Sequence, residues 1–109
     1  MGRGEPLSIR SVPIEGGVRL VFVGEIDLAT GDGLRWSLET AIAENERVEV
    51  DLSEVTFLDS FGLRVLVSTH GVVPPGNGAF HIVAASPQVK RTFSVTGLDL
   101  AYQWPSERH

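Results

Sequence analysis

Asp59 and Ser60 carry the side chains best placed for chemistry, because they stand where an apolar stretch gives way to a helical pattern. A serine at the start of a helix can act as its N-cap, which stabilises the helix by about 1 kcal/mol. The same hydroxyl can carry a phosphate, since the N–H groups and the dipole at a helix N-terminus favour an anion. A phosphate would add a charge of roughly −1.5 to −2 beside Asp59. The residues alone therefore favour an N-cap at Ser60 and leave regulatory phosphorylation open.

A catalytic serine is the enzymatic alternative at the same position. The residues around Ser60, LDSFG, differ from the G-x-S-x-G nucleophile elbow because Leu58 stands where a glycine is needed. On one helix, His70 would lie about 15 Å from Ser60, beyond the reach of a general base. His81 falls within an apolar strand pattern, and His109 is the last residue. We therefore predict that the chain is not an enzyme, with a small serine hydrolase kept as an alternative to test.

The composition argues against several other classes of function. No cysteine and three scattered histidines give no zinc- or calcium-binding spacing, so no metal is predicted. The glycines match neither G-x-G-x-x-G nor a P-loop, so no cofactor is predicted. A net charge of −5 argues against nucleic acid and favours a basic protein surface as partner. Apolar runs fall short of the roughly 18 residues of a membrane span, so we predict no membrane contact and a cytoplasmic protein.

Strand and helix patterns alternate in the order β-β-α-β-α-β-α-β. The first two strands, near residues 7–12 and 18–24, are separated by Gly16-Gly17 and predict a hairpin, and Pro13 marks the first as an edge strand. The third strand is expected at residues 48–52, followed by a polar turn and a second apolar patch at Val55, Phe57 and Leu58. The last two strands are expected near residues 79–84 and 98–104.

Three predicted helices connect the later strands. The first follows an N-cap at Thr30 and ends near residue 44, with Trp36 packed at its flank. The second begins at Ser60 and stops before residue 71. The third has Ser86 as N-cap and stops at Gly97. Strands alternating with helices imply a single α/β domain with a mostly parallel mixed β-sheet and an antiparallel edge strand. We assign it to residues 7–104, with a flexible N-terminus at 1–6, a proline- and glycine-rich loop at 71–78 and a tail at 105–109.

Three segments of the sequence resemble STAS-domain anti-sigma factor antagonists of bacteria. They are residues 24–30 (GEIDLAT), 50–63 (VDLSEVTFLDSFGL) and 93–99 (FSVTGLD). The similarity extends over residues 7–104, with the elements in order, and the middle segment is the most specific. The resemblance implies a STAS-like fold and a protein that binds other proteins.

The resemblance also implies a switch based on phosphorylation. Ser60 matches the serine that a kinase, itself the anti-sigma factor, phosphorylates in the family, and Asp59 and Asp27 match acidic residues near that site. The unphosphorylated antagonist binds the anti-sigma factor and frees the sigma factor, phosphorylation abolishes binding, and a serine phosphatase restores it. ATP and magnesium would belong to the kinase. The expected partner-binding residues are Asp27, Thr30, Ser60, Phe61, Gly62 and Arg64, on a monomer or weak dimer.

Phe61 departs from the family pattern, in which Ser or Thr is common at this position. The substitution leaves Ser60 as the only phosphate acceptor of the pair. Its side chain either faces a partner or folds onto the core, and we favour the exposed orientation slightly. The alternative function is a STAS interaction module of a larger signalling or transporter-associated assembly.

Overall fold

Four strands and three helices make up the computed structural model of the chain, which describes residues 6–70 and 80–96. In order they are β1 (Ser8–Ile14), β2 (Gly17–Ile26), α1 (Gly31–Glu44), β3 (Arg47–Leu58), α2 (Ser60–His70), β4 (His81–Ala85) and α3 (Pro87–Thr96). The sheet order is β1-β2-β3-β4, antiparallel between β1 and β2 and parallel elsewhere. This confirms the predicted α/β fold with its antiparallel edge. Residues 1–5 of the predicted flexible N-terminus, the loop at 71–78, the strand near 98–104, Gly97 and the tail at 105–109 lie outside the described residues.

The helices α1 and α2 lie on one face of the sheet, and α3 packs into the same hydrophobic core. The units β2-α1-β3 and β3-α2-β4 each join neighbouring parallel strands, and right-handed crossovers put their helices on the same side. Alternate residues of β2 and β3 enter one hydrophobic core with the buried faces of the helices, as expected from the two-residue period of a strand. The fully buried large side chains of this core are Phe22, Ile26, Leu34, Leu38, Val48, Val50, Leu52, Val55, Val65, Leu66, Phe80 and Phe93.

The β1–β2 hairpin turns one residue earlier than predicted. Ile14 pairs with Gly17, so the turn residues are Glu15 and Gly16, and Gly16 adopts a φ of 82° that favours glycine. Gly17 instead begins β2, where an added Cβ would lie 1.7 Å from the carbonyl oxygen of Arg47. One glycine therefore allows the turn, and the other allows β2 and β3 to start side by side.

β3 is one long strand, and the polar turn predicted after residue 52 is wrong. Its pairing with β2 is irregular between Val21 and Val23 and again between Gly24 and Glu25, where Gly24 has a φ of 112°. Such irregularities let extra residues stay within a strand without ending it. They also change which side chains face the helices, so Phe57 is 45% exposed rather than part of the core.

The helix boundaries agree with the sequence patterns, with one difference in packing. The first helix starts after Thr30, and Ser86 caps the third by accepting a hydrogen bond from Val89 N at 3.3 Å, as predicted. Trp36 does not pack at the flank of α1, because it is 68% exposed. Within residues 6–70 and 80–96, none of the helices combines the length and apolar character needed to cross a membrane.

Candidate functional site

The predicted site residues meet at the carboxyl ends of the two central strands. Ile26 and Leu58 are paired at the ends of β2 and β3, so Asp27 and Asp59 are the next residues at the same edge. The backbone N–H of Asp59 donates to the carbonyl oxygen of Ile26 at 3.2 Å. The carboxyl edge of a parallel sheet is a common location for binding sites, because the loops that follow the strands converge there.

Asp59 is the N-cap of α2, so the prediction of an N-cap at Ser60 is wrong. Its Oδ1 accepts a hydrogen bond from Gly62 N at 2.9 Å, and its carbonyl oxygen accepts one from Leu63 N at 2.9 Å. Aspartate and serine both make good caps, and here the residue that precedes the helix is Asp59. Ser60 is therefore the first helical residue, and its side chain is exposed.

Gly62 brings the first turn of α2 against the end of β2. An added Cβ would lie 2.5 Å from Cγ2 of Ile26, 2.9 Å from Cδ1 of Leu58 and 3.1 Å from the carbonyl oxygen of Ile26. Gly62 is buried and cannot itself offer a side chain to a partner. Its role in the site is to hold Ser60 close to the edge of the sheet.

Phe61 is half-buried and packs against the core, so the exposed orientation favoured from the sequence is wrong. An added Cβ on Gly31 would lie 2.4 Å from Cε2 of the Phe61 ring. The ring therefore fills the space left by a missing side chain at the start of α1. The contact joins the first turns of α1 and α2 directly beside Ser60.

The loop between β2 and α1 is held by a network of short hydrogen bonds. Oδ1 of Asp27 accepts from Ala29 N at 3.0 Å and from Thr30 N at 3.1 Å. Oγ1 of Thr30 accepts from Asp27 N at 2.9 Å and donates to the carbonyl oxygen of Glu25 at 3.1 Å. Thr30 thus stands at the N-cap position of α1, but its hydroxyl orders the loop and makes no cap bond. Asp27 and Thr30 fix the loop beside Ser60 in one conformation.

Leu28 is a feature of this surface that the sequence patterns did not single out. It lies between Asp27 and Thr30 in the ordered loop, and it is 70% exposed. A partner could bury this side chain at little entropic cost, because hydrogen bonds already order the loop that carries it. In the sequence, Leu28 is an isolated apolar residue within a polar turn, and this pattern is too common to indicate a binding residue.

Arg64 lies on α2, four residues after Ser60, and is exposed. Residues four apart share one face of a helix, so Arg64 and Ser60 lie on the same exposed face of α2. The surface thus carries the carboxylates of Asp27 and Asp59 and an exposed arginine one helical turn after Ser60. The part of the chain that the structure describes has no group of three or more His, Asp or Glu side chains that could hold a metal ion.

The sequence and the structure are similar to known proteins over most of the chain. Residues 10–104 match the model of the STAS domain. The anti-sigma-F factor antagonist RsfB of Mycobacterium tuberculosis is 33% identical over 95 residues, which cover 85% of this chain and 77% of RsfB. The anti-sigma-B factor antagonist of Bacillus subtilis is 30% identical over 84 residues, 77% of each chain.

Solved structures agree with these matches. A crystal structure of an anti-sigma factor antagonist from Mycobacterium paratuberculosis has a TM-score of 0.82 at 28% identity and covers 98% of this chain and 92% of that one. The unphosphorylated form of the anti-sigma factor antagonist SpoIIAA shares the fold, with a TM-score of 0.69 at 19% identity over 92% of this chain and 90% of SpoIIAA. The predicted resemblance and fold are confirmed.

Proposed function

The chain belongs to the STAS domain family, and we propose that it is an anti-sigma factor antagonist that binds an anti-sigma factor and thereby releases a sigma factor. The observation that carries the proposal is the position of Ser60. It is exposed at the first residue of α2, while Asp59 caps the helix and Asp27 and Thr30 hold the neighbouring loop. The names of the relatives support the same function.

The binding surface in this proposal combines the ordered loop with the exposed face of α2. Leu28 supplies an apolar anchor, and Ser60 and Arg64 form the adjoining polar part. Because the loop is already ordered by its own hydrogen bonds, binding costs little conformational entropy there. Phe61 and Gly62 contribute by positioning α2, since neither offers an exposed side chain.

Phosphorylation of Ser60 is the proposed switch. A phosphate would add a charge of roughly −1.5 to −2 to a surface that already carries Asp27 and Asp59. A partner that is complementary to the unmodified site would then bind more weakly. Its own acidic groups would be repelled by the phosphate, or the phosphate would have to lose its water on binding. Arg64 lies one helical turn after Ser60 on the same face of α2. It would pair with the phosphate and would then no longer be available to the partner. The kinase would be the anti-sigma factor, and a serine phosphatase would restore binding.

The test measures binding and phosphorylation with the anti-sigma factor that co-purifies with the tagged protein. We expect that protein to transfer phosphate from ATP to the wild type and not to Ser60→Ala. We also expect Ser60→Ala to bind as the wild type does and Ser60→Asp to bind at least tenfold more weakly in calorimetry. Ser68→Asp is the matched control, because Ser68 is an exposed serine on the same helix two turns further on. Phosphate mapped elsewhere, or equal loss of binding in both aspartate variants, would contradict the proposed switch.

A further inference from the structure

A groove on the helix side of the β1–β2 hairpin is separate from the surface around Ser60. It has a volume of about 420 Å³. Ile9, Ser11 and Pro13 of β1 form one wall, and α1 from Trp36 to Glu44, followed by its C-cap Asn45, forms the other. α1 packs against β2, β3 and α2 and does not cover the edge strand β1. The face of β1 on the side of the helices therefore forms a wall of the groove. No residue of the Asp27–Thr30 loop or of α2 lines the groove.

Two large apolar side chains of the groove are exposed to solvent. Trp36 is 68% exposed at its rim and Ile9 is 36% exposed on the strand wall, while Leu20 and Ala41 belong to the buried core beneath. Tryptophan is enriched among the residues that dominate binding energy, so Trp36 is the side chain of the groove best suited to anchor a partner. The chemistry of the groove therefore suits an apolar occupant.

The dimensions of the groove fit a short helix. The strand wall runs from Ile9 to Pro13 and spans about 13 Å, four steps of 3.3 Å each. The helix wall, nine residues long, spans about 13.5 Å at 1.5 Å per residue. Both lengths correspond to about two and a half turns of an occupying helix. A helix lying beside α1 would extend the existing helical layer over β1.

The edge of β1 is poorly suited to pairing with an added strand. In a two-residue hairpin the residues that flank the turn are hydrogen-bonded to each other. The backbone N–H and C=O groups of Ile14, Val12 and Arg10 therefore point towards β2 and bond to it. The outward-facing backbone groups are those of Ile9, Ser11 and Pro13, and proline has no N–H to donate. The edge therefore offers few donors, which favours a helix in the groove over a strand beside it.

The charge of the groove indicates which kind of helix would bind there. Among the described residues that line the groove, Glu44 is the one charged side chain, and the whole chain has a net charge of −5. We propose that the groove is a second docking surface, which binds a short amphipathic helix of a partner protein with Lys or Arg along the edge that faces Glu44. Docking there is independent of the phosphorylation state of Ser60 and goes beyond the proposed function of that residue.

The test selects binders from a random 12-residue peptide display library on the immobilised wild-type protein and then measures synthetic copies by calorimetry. We expect enriched peptides with apolar residues at i, i+3 or i+4, and i+7 and with basic residues beside them. Their affinity should fall at least tenfold in Trp36→Ala and in Glu44→Lys. It should stay within twofold in Ser60→Asp and in Leu28→Ala, which removes an exposed apolar side chain elsewhere.

Trp36 and Glu44 are exposed, so their replacement should leave the melting temperature and the circular dichroism spectrum unchanged, and loss of affinity then reports on the groove. Four results would overturn the proposal: no enrichment, affinities unaffected by Trp36→Ala, enrichment of acidic sequences, or apolar residues at every second position. The last pattern would indicate a strand added to β1.

Discussion

Replacing Gly31 with alanine tests the contact between the start of α1 and the ring of Phe61. The new Cβ would lie 2.4 Å from Cε2 and 2.9 Å from Cδ2 of that ring. Carbon atoms in favourable contact are about 3.5–4.0 Å apart, so the ring or the helices around it must move by roughly 1 Å. The ring is half-buried and packed on the core, which limits how far it can swing out.

The expected loss of stability follows from two opposing terms. Overpacking of a well-packed site costs about 1–3 kcal/mol. Alanine in place of glycine in a helix returns about 0.5–1 kcal/mol, because the unfolded chain loses less entropy on folding. From the middle of each range, we expect Gly31→Ala to lower the free energy of unfolding by about 1 kcal/mol. For a domain of about 100 residues, each kcal/mol corresponds to a fall in melting temperature of roughly 4 °C or somewhat more.

The assay is urea unfolding followed by circular dichroism, with a double-mutant cycle through Phe61→Ala. Removing the ring opens the space, so Gly31→Ala should be neutral or stabilising in that background, and the coupling should reach about 1 kcal/mol. Gly33→Ala is the matched control, because nothing lies within 4 Å of its added Cβ, and it should stabilise the protein. An equal loss from Gly31→Ala with and without the Phe61 ring would refute the contact.

Three further predictions test the start of α2 and the ion pairs of β3. Gly62→Ala should lower the free energy of unfolding by more than Gly31→Ala does, about 2–3 kcal/mol in urea unfolding, because its Cβ meets the backbone oxygen of Ile26 as well as side chains. An unchanged free energy of unfolding would contradict the close approach of α2 to the end of β2. Asp59→Ala should lower the free energy of unfolding by about 1 kcal/mol through loss of the cap, whereas Ser60→Ala should change it by less than about 0.5 kcal/mol; the reverse order would restore Ser60 as the cap. Hydrogen bonding to Arg19, and then to Arg47, lowers the pKa of Glu49 below its usual 4.5 in spite of burial. That carboxylate thus stabilises the fold above about pH 4.5, and this stabilisation is lost as the pH falls through the lowered pKa. Glu49→Gln should therefore have a lower free energy of unfolding than the wild type at pH 7, and the difference between the two proteins should shrink in acid. A difference independent of pH would exclude the ion pairs as its cause.

Local patterns in the sequence predicted most of the fold, because burial imposes a period on each element. Leu34, Leu38 and Ala41 recur at helical spacing since one face of α1 meets the core. The unbroken course of β3 was missed because it depends on how β3 pairs with β2, including the irregularity at Gly24. That pairing joins residues about thirty positions apart and leaves no local signal.

The candidate site was located from the sequence, but its internal arrangement was not. Alternating strands and helices predict a parallel sheet, in which the residues that follow the strands lie at one edge, and the observed order makes the strands before Asp27 and Ser60 neighbours. The orientation of Phe61 depends on Gly31, which lies thirty positions earlier in the chain and has no side chain to suggest a partner. The exposure of Trp36 and Leu28 likewise depends on what the rest of the chain leaves uncovered.

The division of roles between Asp59 and Ser60 bears on how the proposed switch would work. Were Ser60 the cap, phosphorylation would change the group that holds the start of α2, and the stability of the helix would change with it. The carboxylate of Asp59 accepts the Gly62 N–H, so we expect the helix to keep its cap when Ser60 is modified. The proposed phosphate would then act through the charge and shape of the exposed surface. A switch of this kind acts through the partner that reads the surface, and the domain that carries it need not unfold or rearrange.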